Sequence, residues 1–548
     1  MSSYLSRAAS PLWTPQSERI PGSSQVPNSA GGHAWKIGSM DRLRRFLVLG
    51  SEGGSYYASE RDLTRENIDG VRLALDEHKL DAVREIVDIS KAGRAPRNDP
   101  ALYALAVACA HNDLEVRRLA TKSIPQVART GTHLFHFADF VQSQRGWGPA
   151  LKKGVAAWYE REDVERLAYQ LVKYRQRDGW THRDLLRLAH PMPATDNHRV
   201  LYDWVCGRGV RLPDIKSWID PLEPINDLSR VGAIGAYEDA QKAPTPRDTS
   251  ALIDKWGPKL PREALNTEHL NSGEVWKALL KAGMPMTALI RNLATMTRIG
   301  VLKPMGDETK LVVEQLADPE RVRKARVHPL SVLGAVATYA SGHSARGANS
   351  WEPLREIVDA LDNAFYLAFG NVEPTGKRTM LALDVSQSMT WDDIAGMPGV
   401  DSRMGAGAMA LVTARVEPNY HITAFSQGIH QVDIGPRQRL DDALRTINSL
   451  PPGGTDCALP MLYALENDIK VDTFIVYTDS ETWAGHPHPS QALEIYRRRA
   501  GINAKLVVVG MVSNGFTIAD PNDIGMLDVV GFDSAVPQVI SDFSAGKF

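Results

Sequence analysis

Met380–Met389 reads MLALDVSQSM. Met380 to Leu383 form an apolar run long enough for a buried strand and too short for a helix, and it leads directly into Asp384, Ser386 and Ser388. A D-x-S-x-S loop at a strand end puts three hard oxygens on one face of a turn. That donor chemistry suits Mg²⁺ best, with Mn²⁺ or Ca²⁺ as alternatives. Two later segments extend the pattern. Gly453–Asp456 (GGTD) offers the Thr455 hydroxyl, and Thr473–Tyr477 reads as a second buried strand that ends at Thr478-Asp479. Ligands gather outside the carboxyl ends of strands in an open parallel sheet, so the three loops are expected to converge. Alone, D-x-S-x-S is only an Asx/Ser turn. With GGTD and TD following in order at strand ends, it reads as a site for one divalent cation. An aspartyl-phosphate enzyme also starts from an Asp after a buried strand, but it needs a second carboxylate where this chain has Ser386, which argues against an enzyme.

Around this stretch the chain alternates strand and helix. Strands are expected at Met380–Leu383, His421–Phe425, Thr473–Tyr477 and Lys505–Gly510, and helices at Arg403–Val416, Leu440–Leu450, Ala458–Glu466, Gln491–Ala500 and near Val536–Phe543. That is a doubly wound α/β sheet. Asp392-Asp393 with Gly396, Gly399 and Gly405 is expected to form an acidic loop beside the cation site. Pro374-Thr375-Gly376-Lys377 marks the boundary in front of it.

Ahead of that boundary the pattern is helical from Leu63 to about Phe369, with no strand-like alternation before about residue 378. Leu102, Leu105, Ala106 and Cys109, then Val116, Leu119, Ala120 and Ile124, recur at helical spacing. The breaks between helices are short, as at Asn98-Asp99-Pro100 and Thr130-Gly131-Thr132, and a long helix is expected at Trp351–Phe369. Short connections make antiparallel pairs, and pairs in series make a degenerate α-solenoid of HEAT type. Residues up to about Gly31 are polar and proline-rich and read as disordered.

One portion of the array is strongly basic. Arg166–His190 reads RLAYQLVKYRQRDGWTHRDLLRLAH. Lys173 and Arg177 are four apart and would share a helical face, with Gly179 ending that helix. Thr181 and Asp184 have capping-box spacing for a second helix carrying His182, Arg183, Arg187 and His190. Cations at fixed helical spacing can bridge phosphates. On the residues alone, a solvated face with one or two core histidines is the simpler reading.

Composition limits the rest. At 548 residues with 43% hydrophobic residues, two or more domains with a sizeable core are expected. No run approaches the roughly 18–20 apolar residues of a membrane span, and the Ser/Pro-rich start lacks the apolar segment of a signal peptide. Cys109, Cys206 and Cys457 are widely separated, which points to a reducing cytoplasmic setting and away from disulfides or zinc. From Thr375 onward there are 13 Lys and Arg against 20 Asp and Glu, so the net charge of −2 hides a basic front and an acidic back. An anionic partner would prefer the front.

The D-x-S-x-S, GGTD and TD set resembles the metal-ion-dependent adhesion site of von Willebrand factor A modules. That resemblance implies direct metal bonds from Ser386, Ser388 and Thr455, with Asp384 and Asp479 acting largely through waters. Together with GGHAWKIGSMDRLRRFLVLGSEGGSYY, RTGTHLFHFADF and KYRQRDGWTHRDLLRLAH, the chain resembles the Ro autoantigen family, a bacterial member more than an animal one. The resemblance divides the chain into a tail (1–30), a TROVE module of HEAT-like repeats (31–373) and an A module (374–548). It implies that the repeats close into a ring whose central hole takes single-stranded 3′ ends of misfolded RNAs, while the outer surface binds Y RNAs. The family residues for Y RNA binding fall on Lys173, Arg177 and His190, and helical spacing adds His182, Arg183 and Arg187. The implied protein is a monomeric, non-enzymatic RNA-binding scaffold in RNA processing, quality control and decay, partnered by an exoribonuclease such as polynucleotide phosphorylase. The alternative from another class is a protein-interaction platform acting through the A module.

Overall fold

The computed structural model describes residues 13–51, 59–144, 146–160, 163–207, 231–344, 348–369, 372–391, 393–394 and 399–547. Residues 1–12 of the expected tail lie outside this set, as do Asp392 and Gly396 of the expected acidic loop. Among the described residues from Ser39 to Leu367 the chain is almost wholly helical. The helices stack in two rows. Leu80–Ala92, Leu114–Val127, Pro149–Glu160 and His182–Ala189 pack in succession, and so do Glu60–His78, Asp99–Ala110 and Gly131–Gln144. This alternation is the solenoid that the short, capped breaks predict. Asp113, for example, accepts from the Glu115 and Val116 amides and so starts Leu114–Val127 in place.

The array closes on itself. Arg326 donates to the Lys91 carbonyl at 2.7 Å and the His328 ring bonds the Arg94 carbonyl at 2.9 Å, across more than two hundred residues of chain. The A module seals the seam. Arg94 pairs with Asp533, and fully buried Arg45 of helix Ser39–Leu49 pairs with Asp528 at 2.7 Å. From the array's last helix, Arg355–Leu367, Asp362 accepts from the Leu440 amide at 2.7 Å and pairs with Arg415.

Six strands form the A-module sheet, in the order Met526–Val530, Lys505–Gly510, Thr473–Thr478, Thr379–Asp384, Tyr420–Phe425, Ile429–Gln431. All neighbours are parallel except the last pair. The chain runs from Thr379–Asp384 to one neighbour and later crosses back to the other, so the strand order reverses at Asp384. Strand alternation divides the core accordingly. Leu381 and Leu383 join a cluster continuous with the helical array, whereas Met380 and Ala382 face the cluster beneath Leu459–Glu466 and Pro489–Ala500.

Three expectations need correction. Residues 13–30 are not disordered: Thr14, Gln16, Gln25 and Asn28 are buried against the A module. The Thr14 amide and the side chains of Gln16, Gln25 and Asn28 bond groups hundreds of residues away, and local composition carries no trace of that. Short strands also precede residue 378, at Val26–Pro27, His33–Lys36, Gln176–Arg177 and Trp180–Thr181. The first two form a three-stranded sheet with Phe516–Thr517. The helix expected from Trp351 begins only at Arg355, as Pro353 holds the residue before it away from helical backbone.

Candidate metal centre and nucleic-acid interface

Strand Thr379–Asp384 is buried throughout and delivers Asp384 to the reversal point of the sheet. One Asp384 oxygen accepts from the Ser386 amide at 2.9 Å and the other from the Thr478 hydroxyl at 2.6 Å. The Ser386 and Ser388 hydroxyls lie 3.1 Å apart. The other two loops are tied to this one. Gln387 donates to the Gly453 carbonyl at 3.2 Å, and the Trp483 and Ala484 amides donate to the Thr455 carbonyl at 3.1 and 3.0 Å. Asp479, buried at the next strand end, accepts from the Glu481 amide. The three loops named from sequence therefore converge, and Asp384, Ser386, Ser388, Thr455 and Asp479 are all buried there.

The electrostatics suit a cation. Burial first, then the charge of Asp479, hold the Asp384 carboxyl up at about 7, and burial raises Asp479 as well. Glu481 is held up at about 7 by burial and by Asp479. Carboxylates sharing a buried crevice repel one another, and a hard divalent ion is the charge that relieves them. The Ser480 hydroxyl in the same loop is buried without a hydrogen-bond partner among the described residues. Among the described residues no three His, Cys, Asp or Glu gather as metal ligands; a cation in this crevice would be held by Asp384 and Asp479 together with hydroxyls.

At the basic edge the structure departs from the helical-face reading. Helix Val164–Lys173 ends at Lys173, and Arg177 sits on a two-stranded hairpin, Gln176–Arg177 with Trp180–Thr181. Asp178 and Gly179 both have positive φ, 53° and 78°. Asp-Gly is the natural pair for that mirror-image turn, and it was readable in the sequence. The Asp178 carboxylate lies 2.5 Å from the His136 ring, which ties the turn to helix Gly131–Gln144. The Thr181–Asp184 capping box is present as expected. Arg177, Arg183, Arg187 and His190 are exposed, and His190 ends its helix in the left-handed conformation. Lys173 is half-buried, its ammonium 5.6 and 5.4 Å from the Tyr169 and Tyr174 ring centres, and burial lowers its pKa.

His182 must be removed from the contact surface. It is buried, bonds the Tyr159 hydroxyl at 2.9 Å and packs on Phe135 and Trp158. Burial drives its pKa to about 3, so it is neutral at pH 7 and serves the core. The first helical residue points inward here because the apolar stripe of His182–Ala189 runs through Leu185, Leu186 and Ala189.

Sequence reading missed a third feature. Where the array closes, a cavity of 390 Å³ is lined by Arg129, Arg291 and Arg326 together with His328 and Tyr339, and among the described residues its lining holds no Asp or Glu. Burial first, then nearby Arg326, lowers the Arg129 pKa. These arginines lie far apart in the chain, and no local spacing connects them.

Comparison with known proteins agrees with this architecture. The TROVE domain model matches residues 26–207 and 258–338, and the Ro60 vWA domain model matches residues 378–544. The chain is 42% identical over 545 residues to the RNA-binding protein RO60 of Deinococcus radiodurans, covering 99% of each chain. It is 36% identical to the RNA-binding protein RO60 of Caenorhabditis elegans, covering 95% of this chain and 90% of that one. The crystal structure of the Deinococcus radiodurans RO (RSR) protein superposes with a TM-score of 0.68 at 40% identity, covering 93% of this chain and all of the other. A closed helical array sealed by an A module, matched along its whole length by these relatives, places the chain in the Ro family of TROVE proteins.

Proposed function

We propose that this protein is a non-catalytic RNA-binding scaffold. It holds small stem-containing RNAs, the Y RNAs of its family, on the exposed edge of Arg177, Arg183, Arg187 and His190 with Lys173 beneath. It takes the free single-stranded 3′ ends of misfolded RNAs into the cavity between the array's two ends, and so assists RNA processing, quality control and decay. The carrying observation is the lining of that cavity, which brings together Arg129, Arg291 and Arg326 from distant parts of the chain. Backbone charge held this way is indifferent to base identity. The full-length relatives named as RNA-binding proteins support the same reading. Asp384, Ser386, Ser388, Thr455 and Asp479 would hold one Mg²⁺, which when bound offers a coordination position to an acidic side chain of a partner. The protein acts as a cytoplasmic monomer alongside an exoribonuclease such as polynucleotide phosphorylase. Among the described residues no helix is long and apolar enough to cross a membrane.

The test compares one stem-loop in four forms: with a short 3′ tail, blunt, with a 5′ tail, and with its ends joined. Only the first should bind tightly under competition, and Arg129→Ala with Arg291→Ala should erase its advantage without touching the blunt form. Equal binding of the joined form would mean the cavity is not the entry. A second reading, a protein-interaction platform, draws on Trp391 and Trp483, 60% and 40% exposed on loops that follow Ser388 and Asp479. Recombinant protein that purifies free of nucleic acid, with a low 260/280 nm absorbance ratio, would favour it.

A further inference from the structure

The N-terminal strap, residues 14–36, lies against the two loops that carry Thr455 and Asp479. The fully buried Gln16 amide donates to the Asp456 carboxylate at 2.7 Å and to the Pro487 carbonyl at 2.8 Å, while its oxygen accepts from the Thr482 hydroxyl. One side chain thus bridges the GGTD loop and the loop after Asp479. Asn28 donates to the Thr482 carbonyl at 2.8 Å and holds its own turn through the Gly32 amide. The Ser29 and Ala30 amides donate to one Glu481 oxygen at 2.8 and 3.2 Å, and Asn514 reaches the other Glu481 oxygen and the Asp479 carbonyl. Contact is close enough that a Cβ on Gly32 would stand 1.9 Å from the Thr482 carbonyl oxygen.

We propose that the strap is part of the metal centre: Gln16, Asn28 and the Ser29–Ala30 amides are positioning groups that hold the Asp479–Thr482 loop against the GGTD loop in the arrangement a divalent cation needs. This rests on the cation reading of the Asp384 crevice. Cation ligands on separate loops must be brought into register, and partners outside the ligand set decide how much of the binding energy is lost in doing so. In this fold the partners come from the opposite end of the chain. Cation affinity is therefore a property of strap and module together, and by linkage the bound cation tightens the strap.

Mn²⁺ titration by calorimetry on the full chain tests this, with wild type, Gln16→Leu, Gly32→Ala and Gln25→Leu compared. Gln25 anchors the strap to His488, six residues beyond Thr482 at the start of helix Pro489–Ala500, and bonds neither Asp456 nor Thr482. Gln16→Leu and Gly32→Ala should weaken Mn²⁺ binding on the order of tenfold or more, while Gln25→Leu binds as wild type does. Wild-type affinity in folded Gln16→Leu and Gly32→Ala overturns the proposal, as does an equal loss in Gln25→Leu. No Mn²⁺ binding by wild type overturns the cation reading itself. Hydrogen exchange on wild type needs no variant: saturating Mn²⁺ should slow exchange of the Ser29 and Ala30 amides, and should leave it unchanged in Asp384→Ala. Unchanged exchange in wild type that binds Mn²⁺ defeats the strap's role.

Discussion

The crevice at Asp384 and the edge from Lys173 to His190 would both bind charged ligands, by opposite physics. The crevice concentrates buried carboxylates whose alternatives to a cation are protonation or repulsion. Its side chains are fixed by hydrogen bonds among three loops and the strap. The edge spreads cations over an exposed hairpin and helix, each hydrated and each screened by salt. A buried site of this kind fails when one ligand is removed. An exposed one loses strength in steps, and its response to salt reports how many contacts remain.

The largest effect that would sharpen this contrast is Asp384→Ala. It should abolish the calorimetric Mn²⁺ signal while leaving RNA affinity near wild type. An equal loss of RNA binding in the folded variant would mean the two regions are coupled. Next in size, Lys173→Ala with Arg177→Ala should lower affinity for a stem-containing host RNA roughly tenfold and flatten its salt dependence by about one unit of slope per lost phosphate contact. Arg177 is exposed and Lys173 is half-covered by tyrosines, so Arg177→Ala alone should account for most of the loss. The reverse split would break the view that exposure governs the edge.

Histidine burial gives a smaller, pH-dependent effect. His182 is held at about 3 and His328 at about 4, against about 6.5 for an unfolded chain. Between these values the unfolded state takes up protons that the native state refuses. The neutral rings thus have no cost above about pH 6.5, and stability is lost as pH falls toward the folded values, about 2 kcal/mol per histidine by pH 5. Asp384 and Glu481, held near 7, act in the opposite direction. The measurement is therefore the change in stability between pH 7 and pH 5 for wild type against His182→Phe, which should retain less of the drop. Equal drops would put His182 in contact with water. Smallest of all, His190→Ser should shift stability by less than about 0.5 kcal/mol yet weaken RNA binding, since His190 is exposed beyond the last helical turn. A large fall in melting temperature would make it a structural cap instead.

The two sites were unequally legible. Asp384, Ser386, Ser388, Thr455 and Asp479 could be read because each follows a recognisable turn or buried strand, and strand ends in a parallel sheet share one edge. At the basic edge residue type was informative and placement was not. Arg183 and Arg187 lie where helical spacing put them, but His182 turned inward to Phe135 and Trp158, and the Asp178-Gly179 turn replaced an expected helical continuation. The strap was misread for a related reason: Gln16 and Asn28 look like disordered polar residues until their partners at Asp456 and Thr482 are known.

Sequence by itself determined the order of an all-helical array and an α/β module, the strand-end oxygens of the Asp384 crevice and the basic character of one edge. All three follow from periodicity and spacing over short stretches of chain, where backbone geometry dictates which side chains share a face. Tertiary structure alone decided the closure of the array through Arg326 and His328, the arginine-lined cavity at that seam, the burial of His182 and the anchoring of the strap on the loops that carry Thr455 and Asp479. Each of these joins groups far apart in the chain. Their interaction depends on which surfaces meet once the apolar faces are buried, and no local pattern in the amino-acid sequence encodes that meeting.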